Sequence, residues 1–110
     1  LMQRIQANTH APVLLDFYAD WCLDCKFMEA SLFRKREIRQ ALQKISFIKV
    51  DVTHLKTAGP LLAHFHVVGP PSFVFLDPTG QEIQALRLTG TVQAPELLSH
   101  IKQAQHYAQR

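Results

Sequence analysis

The chain of 110 residues has only two cysteines, four glycines and no long apolar run. Two cysteines are too few for the disulfide-stapled scaffold of a small secreted domain. No stretch approaches the roughly 18 to 20 apolar residues that cross a bilayer. The opening LMQRIQANTHAP does not have the order of charged, apolar and small residues that marks a secretory leader. Charge of one sign is also missing: 12 Lys and Arg face 9 Asp and Glu, for a net +3. The single short basic run, Arg34 to Arg36, leaves no electrostatic footprint for nucleic acid. There is no internal repeat, low-complexity segment or linker. What is present is 47% apolar and 19% charged, the balance of one globular domain with one hydrophobic core. The expectation is a single soluble, monomeric domain over residues 1–110 that opens in mid-helix at Leu1, as an excised or processed piece of a larger protein does.

Hydrophobic patterning sets the order of elements. Met2 to Asn8 can form a helical turn, which His10-Ala11-Pro12 breaks. Val13 to Tyr18 is apolar on both faces apart from Asp16, as in a strand at the middle of a sheet. Leu23, Phe27, Met28, Leu32, Ile38, Leu42 and Ile45 fall close to helical spacing, so one helix is expected from about Cys22 to Gln43, kinked or interrupted near Phe33. Ser46 to Val52 reads as a second strand and Thr53 to Ala58 as a loop. Gly59-Pro60 then opens a short helix ending around His66, with Pro60 in its first turn. Ser72 to Leu76 is a third strand, and Asp77-Pro78-Thr79-Gly80 is a turn into a fourth, Ile83 to Leu88. The last helix starts at Ala94-Pro95-Glu96 and puts Leu97, Leu98, Ile101 and Ala104 on one face. This order predicts an α/β fold, a mixed four-stranded central sheet with helices on both faces.

Chemistry concentrates where the first strand meets its helix, in Tyr18-Ala19-Asp20-Trp21-Cys22-Leu23-Asp24-Cys25-Lys26. Cysteines three apart in a first helical turn share a side, so their sulfurs reach disulfide distance with little backbone movement. The first also sits at the positive end of the helix dipole, where free amide hydrogens favour the thiolate that attacks disulfides. Cys22 is therefore the expected nucleophile, and Cys25, one turn in and covered by the helix, the resolving thiol. Other readings of the pair are a structural disulfide closing a very small loop, half a zinc site completed by His64 and His66, or two unrelated buried thiols. Trp21, directly before the nucleophile, can cover the sulfur and join a docking surface, or can be a core ring. Asp16 alternates with Leu15 and Phe17 and so faces a helix-covered side, partly desolvated.

The string Leu15-Asp16-Phe17-Tyr18-Ala19-Asp20-Trp21-Cys22, the second cysteine with Lys26, the loop Val68-Gly69-Pro70-Pro71-Ser72 and Leu88-Thr89-Gly90 resemble the thioredoxin-like domains. Within them, they are most similar to the C-terminal periplasmic domain of the DsbD thiol:disulfide interchange proteins. Leu23-Asp24 stands where ordinary thioredoxins carry Gly-Pro. The resemblance implies a thioredoxin-like fold and a protein-disulfide reductase activity that exchanges the Cys22–Cys25 disulfide with partners. It implies no metal, nucleotide or flavin cofactor. Pro71 matches the family's cis-proline beside the cysteines, which keeps preceding backbone groups free for a docking strand. Pro70 replaces the usual aliphatic residue and has no amide hydrogen to offer. Asp16 matches the buried acid beneath the active site and Glu29 a second acid flanking it. Together they are expected to raise the Cys22 pKa against the helix dipole, unless Glu29 is only a solvated residue and Asp16 only a structural acid.

The resemblance further implies a periplasmic domain of a bacterial inner-membrane protein. Its partners would be the transmembrane domain and the N-terminal periplasmic domain of the same protein, which feeds disulfide isomerases and cytochrome c maturation factors. Two alternatives share the fold: a free-standing thioredoxin-like reductase with other partners, and a peptide-binding module whose cysteines are incidental. Phe33 to Glu37 reads as a solvated stretch or a helix break, and His10, His54, His100 and His106 as scattered surface residues.

Overall fold

The computed structural model describes residues 11–108; the helical turn expected over Met2 to Asn8 lies outside them. Val13–Tyr18 forms β1 as its composition requires. It pairs in parallel with β2 (Ser46–Asp51) on one side and antiparallel with β3 (Ser72–Leu76) on the other. A two-residue β4 (Leu88–Thr89) completes a mixed sheet of order β2-β1-β3-β4. A parallel pair needs a crossover, and the helices between β1 and β2 provide it.

Strand alternation sends the two faces of β1 into different cores. Val13, Leu15 and Phe17 pack with Ile48, Val50, Val74 and Leu76 and with Ala58 and Leu62. Leu14 joins Phe73, Phe75, Met28, Leu32, Ile38, Leu97, Ile101 and Ala104. Each large side chain so buried contributes on the order of 1.5–3 kcal/mol. Asp16 shares the Leu14 face by the same alternation, and is the one charged residue buried among the described residues.

Three expected elements come out differently. The helix foreseen over residues 22–43 is three pieces: α1 (Leu23–Ala30), a 3₁₀ turn (Leu32–Arg34) and α2 (Arg36–Leu42). The interruption falls at the expected place. Ser31 Oγ donates to the Phe27 carbonyl at 2.8 Å, and Lys35 is extended at φ −66, ψ 137, an arrangement in which a hydroxyl competes with the helical ladder. The break lets Phe33 stack on Phe47 at 5.8 Å.

The second helix, α3 (Leu55–His64), starts in the segment expected to be a loop, and Pro60 lies inside it. The His54 carbonyl collects the Thr57 and Ala58 amides at 3.1 and 2.9 Å, and Ala58 and Leu62 are buried one turn apart. Pro60 and Lys56 are exposed, so the helical bond that proline cannot donate is lost on the solvent side.

The fourth strand shrinks from Ile83–Leu88 to Leu88–Thr89, preceded by a 3₁₀ turn (Gln84–Leu86) and a lone bridge between Leu76 and Glu82. Ile83 and Leu86 are both buried, and a strand would send residues three apart to opposite faces. The Asp77–Gly80 turn forms as expected, with Gly80 at φ 91 and its amide on the Asp77 carbonyl. The closing helix α4 (Ala94–Ala108) buries Leu97, Ile101 and Ala104. His100 is not a plain surface residue, since its Nδ1 meets the Leu86 carbonyl at 2.8 Å. Among the described residues no helix is long and apolar enough to cross a membrane.

Candidate active site

β1 ends at Tyr18, and the chain turns so that the Cys22 amide donates to the Ala19 carbonyl at 3.1 Å. Cys22 is the N-cap of α1, extended at φ −88, ψ 103, and its Sγ accepts the Cys25 amide at 3.1 Å. A sulfur thus occupies the place where a Ser or Asp oxygen normally satisfies the first free amides of a helix. Cys22 and Cys25 are joined in a disulfide with a Cα–Cα separation of 5.3 Å. The sequence makes Cys22 the attacking thiol and has Cys25 covered by its helix. In this disulfide state both are buried, at 6% and 9% exposure, within the core cluster that holds Phe17, Ala58 and Leu62. His64 packs edge-on against Phe65. Among the described residues no three His, Cys, Asp or Glu side chains lie close enough to share a metal ion.

Behind the disulfide lies a cavity of about 390 Å³ that brings Asp16, Cys25 and Glu29 together, walled by Met28, Phe33, Leu42 and Phe47. Asp16, 6% exposed, is its acid floor. Burial pushes the Asp16 carboxyl up to about 6; the Lys49 charge opposes this and the Glu29 charge adds to it. Glu29 is exposed and paired, accepting from Lys49 Nζ at 2.6 Å. Lys49 also lies 4.7 Å from the centre of the Tyr18 ring. Burial pulls Lys49 down, but the Glu29 hydrogen bond and the charges of Glu29, Asp16 and Tyr18 outweigh it and raise its pKa.

Trp21 is 53% exposed and no core ring; its Nε1 donates to the Thr53 carbonyl at 3.0 Å. Thr53 Oγ1 accepts the Asp20 amide at 2.9 Å and donates to Asp51 Oδ1, which also takes the Thr53 amide. Those bonds from Thr53 hold Asp51 below the usual carboxylate range. The Pro70–Pro71 peptide bond is cis. The pairing of Phe17 with Ser72 brings Pro71 to the level of Tyr18, at the end of β1 that leads to Cys22. Gly90 donates to the Pro71 carbonyl at 3.0 Å, linking two of the strings singled out in the sequence. Trp21 in the turn before α1, Leu23 and Phe27 on α1, Leu55 at the start of α3 and Val68 in the segment before Pro70 are large apolar side chains exposed to solvent.

Sequence reasoning missed Lys49, Asp51 and Thr53. A signal existed for two of them. Asp51-Val52-Thr53 and Asp77-Pro78-Thr79 have the same Asp-x-Thr form, and in both the threonine amide and hydroxyl bind the aspartate Oδ1, a local turn such residues favour. Lys49 becomes visible only once β1 and β2 are set in register.

The chain matches the family model described as Thioredoxin over residues 2–103. It is 45% identical over 89 residues to thiol:disulfide interchange protein DsbD 2 of Pseudomonas aeruginosa, an alignment covering 80% of this chain and 15% of that protein. To DsbD of Actinobacillus pleuropneumoniae it is 34% identical over 104 residues, 94% of this chain and 18% of that one. The chain therefore spans less than a fifth of these relatives' length. The solved structure of the Neisseria meningitidis DsbD C-terminal domain superposes with a TM-score of 0.77 in its oxidised form, at 30% identity over 93% of this chain and 87% of that one. The reduced form gives 0.78, at 32% identity over 93% and 88%.

Proposed function

The chain belongs to the thioredoxin family, and on that premise we propose that it is a protein-disulfide reductase domain passing two electrons through Cys22 and Cys25. The observation that carries this reading is the disulfide between them at the N-terminus of α1, with Cys22 Sγ on the Cys25 amide. In the reduced domain the Cys22 thiolate attacks one sulfur of a partner disulfide. The partner S–S bond breaks, and the departing partner sulfur takes up a proton. Cys25 then gives up its proton and attacks Cys22 Sγ, which expels the partner's second sulfur as a thiolate that is protonated in turn. Two electrons and two protons have moved to the partner, and the Cys22–Cys25 disulfide is restored. A dithiol donor reduces it again by the same steps reversed.

In this reading Asp16 receives the Cys25 proton, a role supported by the cavity the two residues share and by a carboxyl raised to about 6. Its charge, with that of Glu29, disfavours a second negative charge on the sulfurs, which keeps the free thiol from casual oxidation. Trp21, Pro70 and Pro71 form the rim on which the partner docks. The similarity to DsbD supports a domain of a longer protein: a periplasmic unit of an inner-membrane protein that takes electrons from a transmembrane domain and hands them to an N-terminal periplasmic domain. The free-standing reductase would differ in partners but not in chemistry.

Reduction of insulin with a dithiol as electron source tests the reading. Turnover by the wild-type chain and none by Cys22→Ala is expected; equal rates for the two would leave only a peptide-binding module.

A further inference from the structure

Arg87 lines neither cavity wall nor disulfide, yet its guanidinium reaches three residues in two other segments. Nε and Nη2 donate to the two Glu82 carboxylate oxygens at 2.7 and 2.8 Å. Nη1 donates to the His66 carbonyl at 2.8 Å, and Nη2 also donates to the Phe65 carbonyl. Those two carbonyls close α3. The helix ends in a Schellman motif, with the Val67 amide on the Leu62 carbonyl at 2.9 Å and the His66 amide on the Ala63 carbonyl at 3.1 Å. The left-handed position of that motif usually belongs to glycine; here His66 fills it at φ 54, a conformation that side-chain-bearing residues disfavour. The turn that launches Val67–Pro71 is thus held against local preference, and Arg87 grips the two carbonyls on either side of it.

The rest of the segment is braced to the same frame. Ser72 Oγ donates to the Gly69 carbonyl at 2.6 Å, and Gly90, just beyond β4, donates to the Pro71 carbonyl. Glu82 is itself fixed by its bridge to Leu76 at the end of β3. Between these anchors Val68 projects fully into solvent. A planar fork matched to a carboxylate on one edge and to carbonyls on the other is a task lysine cannot duplicate. Its charge also suits the negative end of α3.

We infer that Arg87 is a positioning residue for partner docking: by tying Phe65 and His66 to Glu82 it fixes the Val67–Pro71 segment that a partner's disulfide-bearing strand meets. The inference rests on the reductase reading above.

The test compares wild type, Arg87→Met and Arg87→Lys on two substrates with a dithiol as electron source: insulin, which must dock, and a small aromatic disulfide, which need not. Arg87→Met is expected to raise the insulin KM about fivefold or more with kcat within about twofold, leave the small-disulfide rate within about twofold, and be partly rescued in Arg87→Lys. Amide exchange at His66–Gly69 is expected to speed up about tenfold in Arg87→Met while that of β1 does not change. An unchanged insulin KM, or equal losses on both substrates, overturns the inference. Should Arg87→Met fail to fold, Glu82→Gln, which keeps the guanidinium but removes the carboxylate that orients it, carries the same comparison, with a KM rise expected and none overturning it. Wild type reducing neither substrate overturns the reductase reading itself; wild-type turnover without the KM split overturns only the role of Arg87.

Discussion

Asp16 and Lys49 stand opposite each other in the parallel register of β1 and β2, while the Lys49 ammonium donates to Glu29 at 2.6 Å. Burial raises the Asp16 carboxyl to about 6, and Lys49 is the influence that holds it down. In Lys49→Met that restraint is gone and the Glu29 charge is no longer neutralised. Asp16 is therefore expected to titrate above wild type when followed by carbon-13 NMR of its carboxyl. A midpoint at or below the wild-type value would show that Lys49 exerts no such hold.

Asp16 should also cost the fold stability at neutral pH. Its folded pKa of about 6 lies above the ordinary 3.8, so the folded state binds more protons than the unfolded between those values. The associated stability is fully present below 3.8 and is lost as pH rises through about 6. At 1.36 kcal/mol per unit the loss is at most about 3 kcal/mol. Asp16→Asn is expected to raise the urea midpoint at pH about 7.5, with a smaller gain at pH about 4. A gain equal at both pH values would mean that the effect is packing and not ionisation.

The two acids bear on the thiol as well. In the reduced protein, Asp16→Asn and Glu29→Gln are each expected to lower the Cys22 pKa, read from alkylation rate against pH, with the larger shift from Asp16 because it is the buried charge. Unchanged titrations in both variants would remove the acids from any tuning role.

Thr53 links the Trp21 turn to β2 through the Asp20 amide and the Asp51 carboxylate. Thr53→Val removes both hydroxyl bonds. Asp51 should then titrate higher, towards 3.8, since the Thr53 hydroxyl is the first cause of its depression, and Trp21 emission should shift to the red as the indole loosens. No change in Asp51 would place its hydrogen bonding elsewhere.

The sheet strands β1, β2 and β3 and the cysteine pair were legible in the sequence because each is a local signal: an apolar run, or two sulfurs at a fixed spacing before a helix. Asp16 was legible too, as a charge at a position whose alternation puts it under a helix. Pro60 misled because exposure of the missing bond makes a mid-helix proline tolerable, and nothing in the sequence states which side of a helix faces water. Ile83 and Leu86 misled because a strand pattern and a 3₁₀ turn differ only in which of these residues share a face. The Lys49–Glu29 pair joins residues 20 positions apart, and Arg87 reaches the Phe65 and His66 carbonyls 22 and 21 positions away; these partners exist only once the strands are in register and α3 has ended at His64.

The central claim is that Cys22 forms the bond to the partner and Cys25 breaks it. Its most direct measurement is trapping: reduced Cys25→Ala and reduced Cys22→Ala are each mixed with an activated mixed-disulfide peptide and then with excess dithiol-free buffer, and the adducts are followed by mass spectrometry. The account predicts a persistent adduct on Cys22 in Cys25→Ala, slow or absent labelling in Cys22→Ala, and rapid peptide release with an intact Cys22–Cys25 disulfide in wild type. A stable adduct on Cys25 in Cys22→Ala, formed as fast as the one on Cys22, would contradict it.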